Sequence, residues 1–591
     1  MGETFAGADG AISEALLYNP GPGAPGMRYS HFTTAIYCKV NDVQDRDWNR
    51  FQDEFGFIES HVHVDKVYLE TYRGERFASE AQIAAAGDFF RKKGISCSGG
   101  VTVNARGDAS RGFKSFCYSR ADRVGELVGI IEFAAVRFDE VILDDFFFTN
   151  CKCDSCIAEK GARPWDAYRT QKMKEVSELI VRKAREANPK CRIVIKFPNW
   201  YDDYQFTGYN LRDQREIHGS IYTGTETRDP ALTQQNLPRY LSYFLMRYLE
   251  NASPGRNGGG WFDPFDCSYN LNSYLEQAYL TLFAKAREAT LFCLGALLGQ
   301  YRRFVPLAGF AFEEFDRLAG ELGDPRGIAC YKPFNSAGDN YMLPALGMMG
   351  IPLEPTPFFP DEAATLILSE SAAADPDILP RIEALLKKGR TVMITSALAS
   401  RLRDRGLRDI VDIEVGGAFQ ADRIATDMLG CGFRQYSRLE EPILFPKLRY
   451  RTNDSWAAIG ALGAENGTPV FIEAEYSAGC LLILNVPERF TDLYKLPVEA
   501  CDRIRKRLTG ELPVRISAPA GVGLFVYDNG AFIVESFLPR GTPVEIIVAG
   551  SSRLAGIDGE PPPRGFARDG EAVYPIDLAA SCLRAFKVES A

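Results

Sequence analysis

Eight short apolar runs, most of them separated by amphipathic helical stretches, fill the first half of the chain, and this alternation constrains the fold more than any other feature. The runs are FTTAIYCKV (32–40), VDKVYLETY (64–72), ISCSGGVTV (95–103), EVILDDFFF (140–148), RIVIKF (192–197), GSIYTGTE (219–226), GGWFDPF (259–265) and ATLFCLGAL (289–297). Helical patterns such as EAQIAAAGDFFRKKG, RADRVGELVGIIEFAAVRF and LEQAYLTLFAKARE lie between them. Eight strands alternating with helices predict a closed (β/α)8 barrel, with a doubly wound open sheet as the rival.

Function in such a barrel sits at the C-terminal ends of the strands. Those ends carry Glu70, Asn104, Asp144 and Asp145, Lys196 with Asn199 and Trp200, Glu226, Asp263 with Asp266, and Gly295. Polar groups collecting at successive strand ends suit a sugar site, although any one strand end is polar simply because a loop begins there.

A linker near 318–340 leads to a second alternating segment. ILPRIEALLKKGRTVMITSALA reads as a helix, a glycine stop at Gly389 and a strand; GCLLILNVP is a buried strand and VEACDRIRKRLTG a helix. This predicts a flavodoxin-like or glutamine-amidotransferase-like α/β domain over 336–511, following a barrel over 1–335. It has no G-x-C-x-G nucleophile elbow and is expected to be catalytically silent. The remainder (512–591) carries strand patterns with turn signals every eight to ten residues and predicts a small β-sandwich.

The net charge of −10 and the lack of basic runs exclude nucleic-acid binding through a basic face. No apolar run reaches about 18 residues, so no transmembrane helix is expected. MGETFAGADG has neither a basic n-region nor an apolar h-region, and Ala6 stands where a myristoylation signal wants Ser or Thr. A cytoplasmic enzyme is the expected class. In that setting the 14 cysteines are expected as free thiols or metal ligands rather than a disulfide framework.

Three of them, Cys151, Cys153 and Cys156, fall in a C-x-C-x-x-C spacing just past the fourth strand. Structural zinc takes four tetrahedral ligands. Cys117 in FKSFCYSR is the first choice for the fourth and Cys97 the second. None of the four histidines lies beside the cluster, and the deaminase signature is absent. His61-Val-His63 has a metal-like spacing but is expected at the start of the second strand, on the far face. The site is therefore expected to be structural.

Together these features resemble family 42 of the glycoside hydrolases, the thermophile-type β-galactosidases. In that family the fourth strand ends in Asn-Glu, where Asp144-Asp145 stand here, and Cys-x-Cys-x-x-Cys follows, with an earlier Cys before a Ser as fourth zinc ligand. YLEQAYLTLFAKAREATLFCLG (274–295) resembles the family's last helix and strand, and NYMLPALGMMGIPLEP (340–355) resembles the entry to its second domain. The resemblance implies a homotrimer assembled through the middle domain. Two departures stand out. Asp145 replaces the family's acid/base Glu, and GGGWFDPFDC offers Asp263 and Asp266 but no Glu where the family keeps its nucleophile. The nearest strand-end Glu is Glu226. A distant relative, or a separate family with another sugar preference, is expected.

Glycoside hydrolysis takes two carboxyl groups, one with a raised pKa. By position Asp145 is the expected acid/base and Glu226 the expected nucleophile or base, with Asp263 as second choice. A retaining route is expected ahead of an inverting one; carboxyls about 5 Å apart retain and those about 6.5–9.5 Å apart invert. Asp144, Asn199 and Asp266 are expected to contact substrate. Lys196, Arg228 and Glu70 are expected to hold hydroxyls or an acidic sugar, and Trp200, Tyr222 and Trp261 to offer ring platforms. A sugar-binding pseudoenzyme is one alternative. A lyase or aldolase with Lys196 as Schiff-base lysine is another.

Overall fold

The computed structural model describes residues 28–589 except 75, 105–114, 234, 236, 430–431, 451–453, 465 and 551. The eight expected strands are present as β1 (Thr33–Cys38), β2 (Lys66–Arg73), β3 (Ser96–Thr102), β4 (Glu140–Leu143), β5 (Arg192–Phe197), β6 (Ser220–Gly224), β7 (Asn257–Phe262) and β8 (Glu288–Phe292). All neighbouring pairs are parallel. β1 pairs with both β2 and β8, which closes the sheet into a barrel. The open-sheet alternative is thereby excluded.

The barrel is filled rather than hollow. Tyr37, Tyr68, Ile142, Val194, Tyr222 and Trp261 form one interior cluster. The glycine runs in β3 and β7 make room for these rings: a Cβ at Gly100 would sit 2.7 Å from the Tyr37 hydroxyl, and one at Gly259 2.7 Å from that of Tyr222. A polar network closes the N-terminal end, where Lys66 Nζ meets Glu140 at 3.1 Å and Glu288 at 2.8 Å. On the outside, the helix Glu80–Lys92 begins at Ser79 with a reciprocal capping box to Gln82. Its buried face is Ile83, Ala86, Gly87 and Phe90, the period-3.6 stripe expected of a helix lying on a sheet.

The second sheet has five parallel strands in the order Leu353–Thr356, Ile328–Tyr331, Thr365–Leu368, Thr391–Thr395 and Gly479–Leu484. Four antiparallel strands extend it, including the long hairpin Ile413–Leu429 and Gly432–Tyr450. The helix Ile378–Lys387 ends as expected, with Gly389 at φ +78° before the strand Thr391–Thr395. One correction concerns the presumed linker at 318–340. It contains Ile328–Tyr331, an inner strand of this sheet; at four residues, the run is too short to stand out by periodicity.

The C-terminal segment forms two antiparallel sheets sharing one apolar core that includes Val514, Ile516, Leu524, Phe532, Val544 and Ile546. Pro325–Arg326, from before the second sheet, pairs with Val522–Tyr527 and stitches the segments together. Among the described residues, no helix is long and apolar enough to cross a membrane.

Candidate active site

β2 carries Glu70 and Arg73 to the C-terminal mouth of the barrel. In a regular strand these two side chains would point to opposite faces. The pairing of β2 with β3 shifts register between Glu70 and Tyr72, which returns Arg73 to the side of Glu70. Glu70 is fully buried. It accepts hydrogen bonds from the Tyr37 hydroxyl (2.7 Å), the Val40 amide (2.7 Å), Thr102 Oγ1 (2.5 Å) and Arg73 Nε (2.9 Å). The expectation that Glu70 contacts substrate is therefore corrected: its oxygens are committed to holding Arg73.

Arg73 in turn donates through Nη2 to Asp144 Oδ2 at 2.8 Å, and Thr102 Oγ1, whose one proton goes to Glu70 or to Asp144, lies 3.1 Å from the same oxygen. Asp144 Oδ1 accepts the backbone N–H of Asp145 at 2.8 Å. The Asp-Asp pair is thus split in role. Asp144 is buried, while Asp145 keeps part of its carboxyl in the mouth. Burial pushes Asp144 up, but Lys196 and Arg73 outweigh it and leave this carboxyl below the ordinary range. Burial, then the neighbouring Asp144 and Glu226, push Asp145 up to about 8 against the pull of Lys196.

Lys196, from β5, sits at the centre of the site and is only 1% exposed. Its Nζ lies 3.2 Å from Asp145 Oδ2 and 3.8 Å from Asp144 Oδ1, and it hydrogen-bonds Glu226 Oε1. The indole of Trp261 lies beneath it, 4.3 Å from Nζ to the ring centroid. Burial pulls Lys196 down, yet Asp145, Glu226 and Asp144 more than compensate and hold it protonated. Glu226 is pushed up by burial and then by Asp263, against Lys196. Its second oxygen, Oε2, has no hydrogen-bond partner among the described residues and lies against Gly224, where a Cβ would come within 2.6 Å.

Asp263, the alternative second carboxylate, is paired with a different cation. Arg228 grips it with two hydrogen bonds, at 3.0 and 2.8 Å, and the Phe265 amide donates to it at 3.1 Å. Arg228 therefore serves Asp263. Asn199 Nδ2 donates to the backbone carbonyl of Glu226 at 2.5 Å, and its Oδ1 has no partner among the described residues. Trp200 is half-buried, edge-on to Phe148, and its indole N–H likewise has no partner among the described residues. Asp266 stands exposed on the loop after β7.

Two expected platforms are corrected. Tyr222 is buried inside the barrel, and its hydroxyl bonds Glu288 (3.0 Å) and Thr290 (2.7 Å). Trp261 is 1% exposed and stacks on Phe292. Both alternate inward and are consumed in filling the barrel. Arg73 is the functional-site residue that the strand reading leaves out, because it ends the second strand at residue 72. The signal available was an Arg three residues past Glu70, at a strand end.

Behind the mouth, Cys117, Cys151, Cys153 and Cys156 converge so that their sulfurs all lie within 4.8 Å of one another. Cys117 Sγ is 3.6 Å from that of Cys153 and 3.7 Å from that of Cys156, and Cys153 and Cys156 are 3.7 Å apart. Zn–S bonds of about 2.3 Å in a tetrahedron give S···S edges of about 3.8 Å, so the donor set has the dimensions of a four-thiolate site. Ser115 Oγ, bonded to the Asn150 amide (2.9 Å) and side chain (2.7 Å), ties together the two loops that supply the cysteines. Cys97 lies outside this cluster. His61 and His63 are also elsewhere, engaged with Phe57 O and with Asp65.

The family of probable glycosyl hydrolases, defined by its catalytic domain, matches residues 24–320. The second domain of the uncharacterized protein SSO3021 matches 323–489, and a probable glycosyl hydrolase C-terminal domain matches 513–558. The uncharacterized protein SSO3021 of Saccharolobus solfataricus is 27% identical over 380 residues, which span 57% of this chain and 62% of that protein. Solved structures similar in fold include α-L-fucosidase isoenzyme 2 from Paenibacillus thiaminolyticus (TM-score 0.63, 14% identity, 96% of this chain and 100% of that one). Another is the β-galactosidase from Bacillus circulans sp. alkalophilus (TM-score 0.64, 11% identity, 95% and 99%). A third is Gan42B, a GH42 β-galactosidase from G. stearothermophilus (TM-score 0.62, 10% identity, 95% and 100%). With a catalytic-domain match running over half of its length, the chain belongs to the family of probable glycosyl hydrolases and has a fold similar to that of the GH42 β-galactosidases.

Proposed function

We propose that this protein hydrolyses a terminal glycosidic bond, with Asp145 as general acid and Glu226 as the second carboxylate. The observation that carries this reading is the convergence of both carboxyls on the single ammonium of Lys196 at the barrel mouth. Two groups that hydrogen-bond one nitrogen lie within about 6 Å of each other, nearer the retaining spacing than the inverting one. Asp145, pushed up to about 8, is protonated at neutral pH and partly open to the mouth, as a proton donor to a leaving oxygen must be. When it gives up that proton, the Lys196 charge 3.2 Å away stabilises the carboxylate formed. Asp144, kept ionised by Lys196 and Arg73, repels a second negative charge on Asp145 and so sustains its raised pKa. Trp200 and the free Oδ1 of Asn199 are the groups left to meet a sugar ring and its hydroxyls.

The names of the fold relatives point to galactosides and fucosides as first substrates to try. The test is a nitrophenyl-glycoside panel in both anomeric series, run on the wild type, Asp145→Asn and Glu226→Gln. Each variant is expected to fold and to lose about 10²–10⁴-fold in rate; full activity in both would sink the proposal. Sugar binding without turnover is the second reading, favoured by the burial of Glu226 Oε2 against Gly224. Calorimetric binding with no hydrolysis across the panel would establish it. A Schiff-base role for Lys196 is disfavoured, since an amine held protonated among the acidic side chains of Asp145, Glu226 and Asp144 has no lone pair to attack a carbonyl.

We also propose zinc as the ion of the four-cysteine site, in a structural role: all four tetrahedral positions go to thiolates, leaving none open for substrate. Such a ligand set, with the other described cysteines free, suits a reducing compartment, and we place the protein in the cytoplasm.

A further inference from the structure

The second sheet contains no expected nucleophile, yet one of its loops is built as an anion site. That loop follows the strand Ile328–Tyr331, which has Leu353–Thr356 on one side and Thr365–Leu368 on the other. This is the point where strand order reverses, the position at which open α/β sheets bind ligands. Positive φ angles at Gly338 (+103°) and Asn340 (+48°) turn successive amides toward one point. The amides of Gly338 (3.2 Å), Asp339 (3.3 Å) and Asn340 (3.0 Å) and the ammonium of Lys332 (3.0 Å) all meet one carboxylate. That carboxylate is Asp202, which belongs to the barrel. Lys332, 1% exposed, is further held by Ser336 O (2.8 Å) and Ser336 Oγ (3.2 Å). The adjacent Tyr201 hydroxyl donates to Asp339 Oδ2.

Asp202 lies three residues after Asn199. The two are joined by a tight turn in which the Asp203 amide donates to Trp200 O at 3.0 Å. Asn199 in turn donates to the carbonyl of Glu226 and, at 3.2 Å, to Gln235 Oε1. One short stretch is thus fixed in the second domain at one end and holds the backbone of Glu226 at the other.

We propose that the Asp202–Lys332 pair is a positioning latch: seated in the amide loop of the second domain, it fixes the Asn199–Trp200 turn and, through Asn199, the placement of Glu226. The α/β domain, silent in chemistry, then completes the active site from outside. The activity arm of this inference rests on the glycosidase reading; its exchange arm does not.

The test compares the full-length wild type with the double variant Asp202→Asn, Lys332→Met, which removes both charges without stranding either. Lys332→Met alone is a second variant should the double one fold poorly. Arg247→Met is the control. It breaks another ion pair between barrel and second domain, Arg247 to Glu354 (2.6 Å), in which neither Asp202 nor Lys332 takes part. On the best glycoside of the panel, the latch variants are expected to lose about 10- to 100-fold in kcat, with a rise in KM beside it because Asn199 and Trp200 also meet the sugar. Arg247→Met should lose only thermal stability. Hydrogen exchange of peptides covering 199–208 and 225–235 should quicken in the latch variants and not in Arg247→Met. A kcat within about twofold of wild type, or unchanged exchange over 225–235, overturns the latch. If the wild type cleaves no glycoside, the functional reading fails, and the exchange pattern alone decides the latch.

Discussion

Lys196→Met is the most informative single perturbation. The ammonium lies 3.2 Å from Asp145, touches Glu226 and is 3.8 Å from Asp144. At an effective dielectric of about 20, one such contact is worth about 5 kcal/mol before desolvation of the lysine is set against it. Removing one partner of a buried pair typically costs about 3–5 kcal/mol, because the charges left behind are uncompensated. That cost carries a pH signature with a definite sign. Without Lys196 the folded-state pKa values of Asp145 and Glu226 rise further above their unfolded values. A carboxyl so raised contributes stability at pH below its unfolded pKa and loses it as pH climbs through the folded one. Lys196 itself stays charged in both states across this range. The deficit of the variant should therefore be small near pH 4 and grow with pH, reaching about 3–5 kcal/mol only above about pH 8, where Asp145 ionises in the wild type. Denaturant-unfolding midpoints of wild type and variant near pH 4 and about pH 9 check this. An equal loss at the two pH values, or a variant more stable at the higher one, would refute the assignment of Lys196 as counter-ion of the pair.

Other outcomes follow from the same geometry. The glycosidase rate should fall as pH rises through about 8, where Asp145 loses its proton, and that limb should vanish in Asp145→Asn; a pH profile of kcat/KM measures it. Cys153→Ser should cut the zinc bound per chain and lower the melting temperature while leaving KM of the folded fraction unchanged; freshly reduced wild type with no zinc would remove the metal proposal. The hairpin arm of the second sheet exposes Tyr436 and, on the next strand, Trp456, which are 53% and 43% accessible. If it mediates the trimer implied by the family resemblance, sedimentation should give three 65.6 kDa chains, and Trp456→Glu should give monomers; a monomeric wild type would count against it.

The barrel was legible because its signal is local and repeated. Each strand is a dense apolar run, each helix shows its own period, and none depends on a distant partner to be seen. The four cysteines were legible because thiols at metal spacing have few other uses. The candidate site was legible only as a set of strand ends. Asp145, Lys196 and Glu226 meet as expected of neighbouring strand ends, but Tyr222 and Trp261 do not, since a ring near a strand end can fill the barrel as readily as face the mouth. Arg73 escaped notice because its direction depends on an irregularity in strand pairing at Glu70–Tyr72, which no single strand encodes. The short strand Ile328–Tyr331 escaped for a related reason: four residues carry too little pattern.

What the amino-acid order determined by itself is the sequence of strands and helices and the kinds of group delivered to the barrel mouth, since periodicity and composition act along the chain. What only the tertiary structure decided is which carboxyl meets which cation. Lys196 with Asp145 and Glu226, Arg73 with Glu70 and Asp144, Arg228 with Asp263, and Lys332 with Asp202 are chosen by barrel closure and domain docking. Electrostatic interaction depends on distance through space and on burial, and most of these partners lie about 30 to 130 residues apart in sequence.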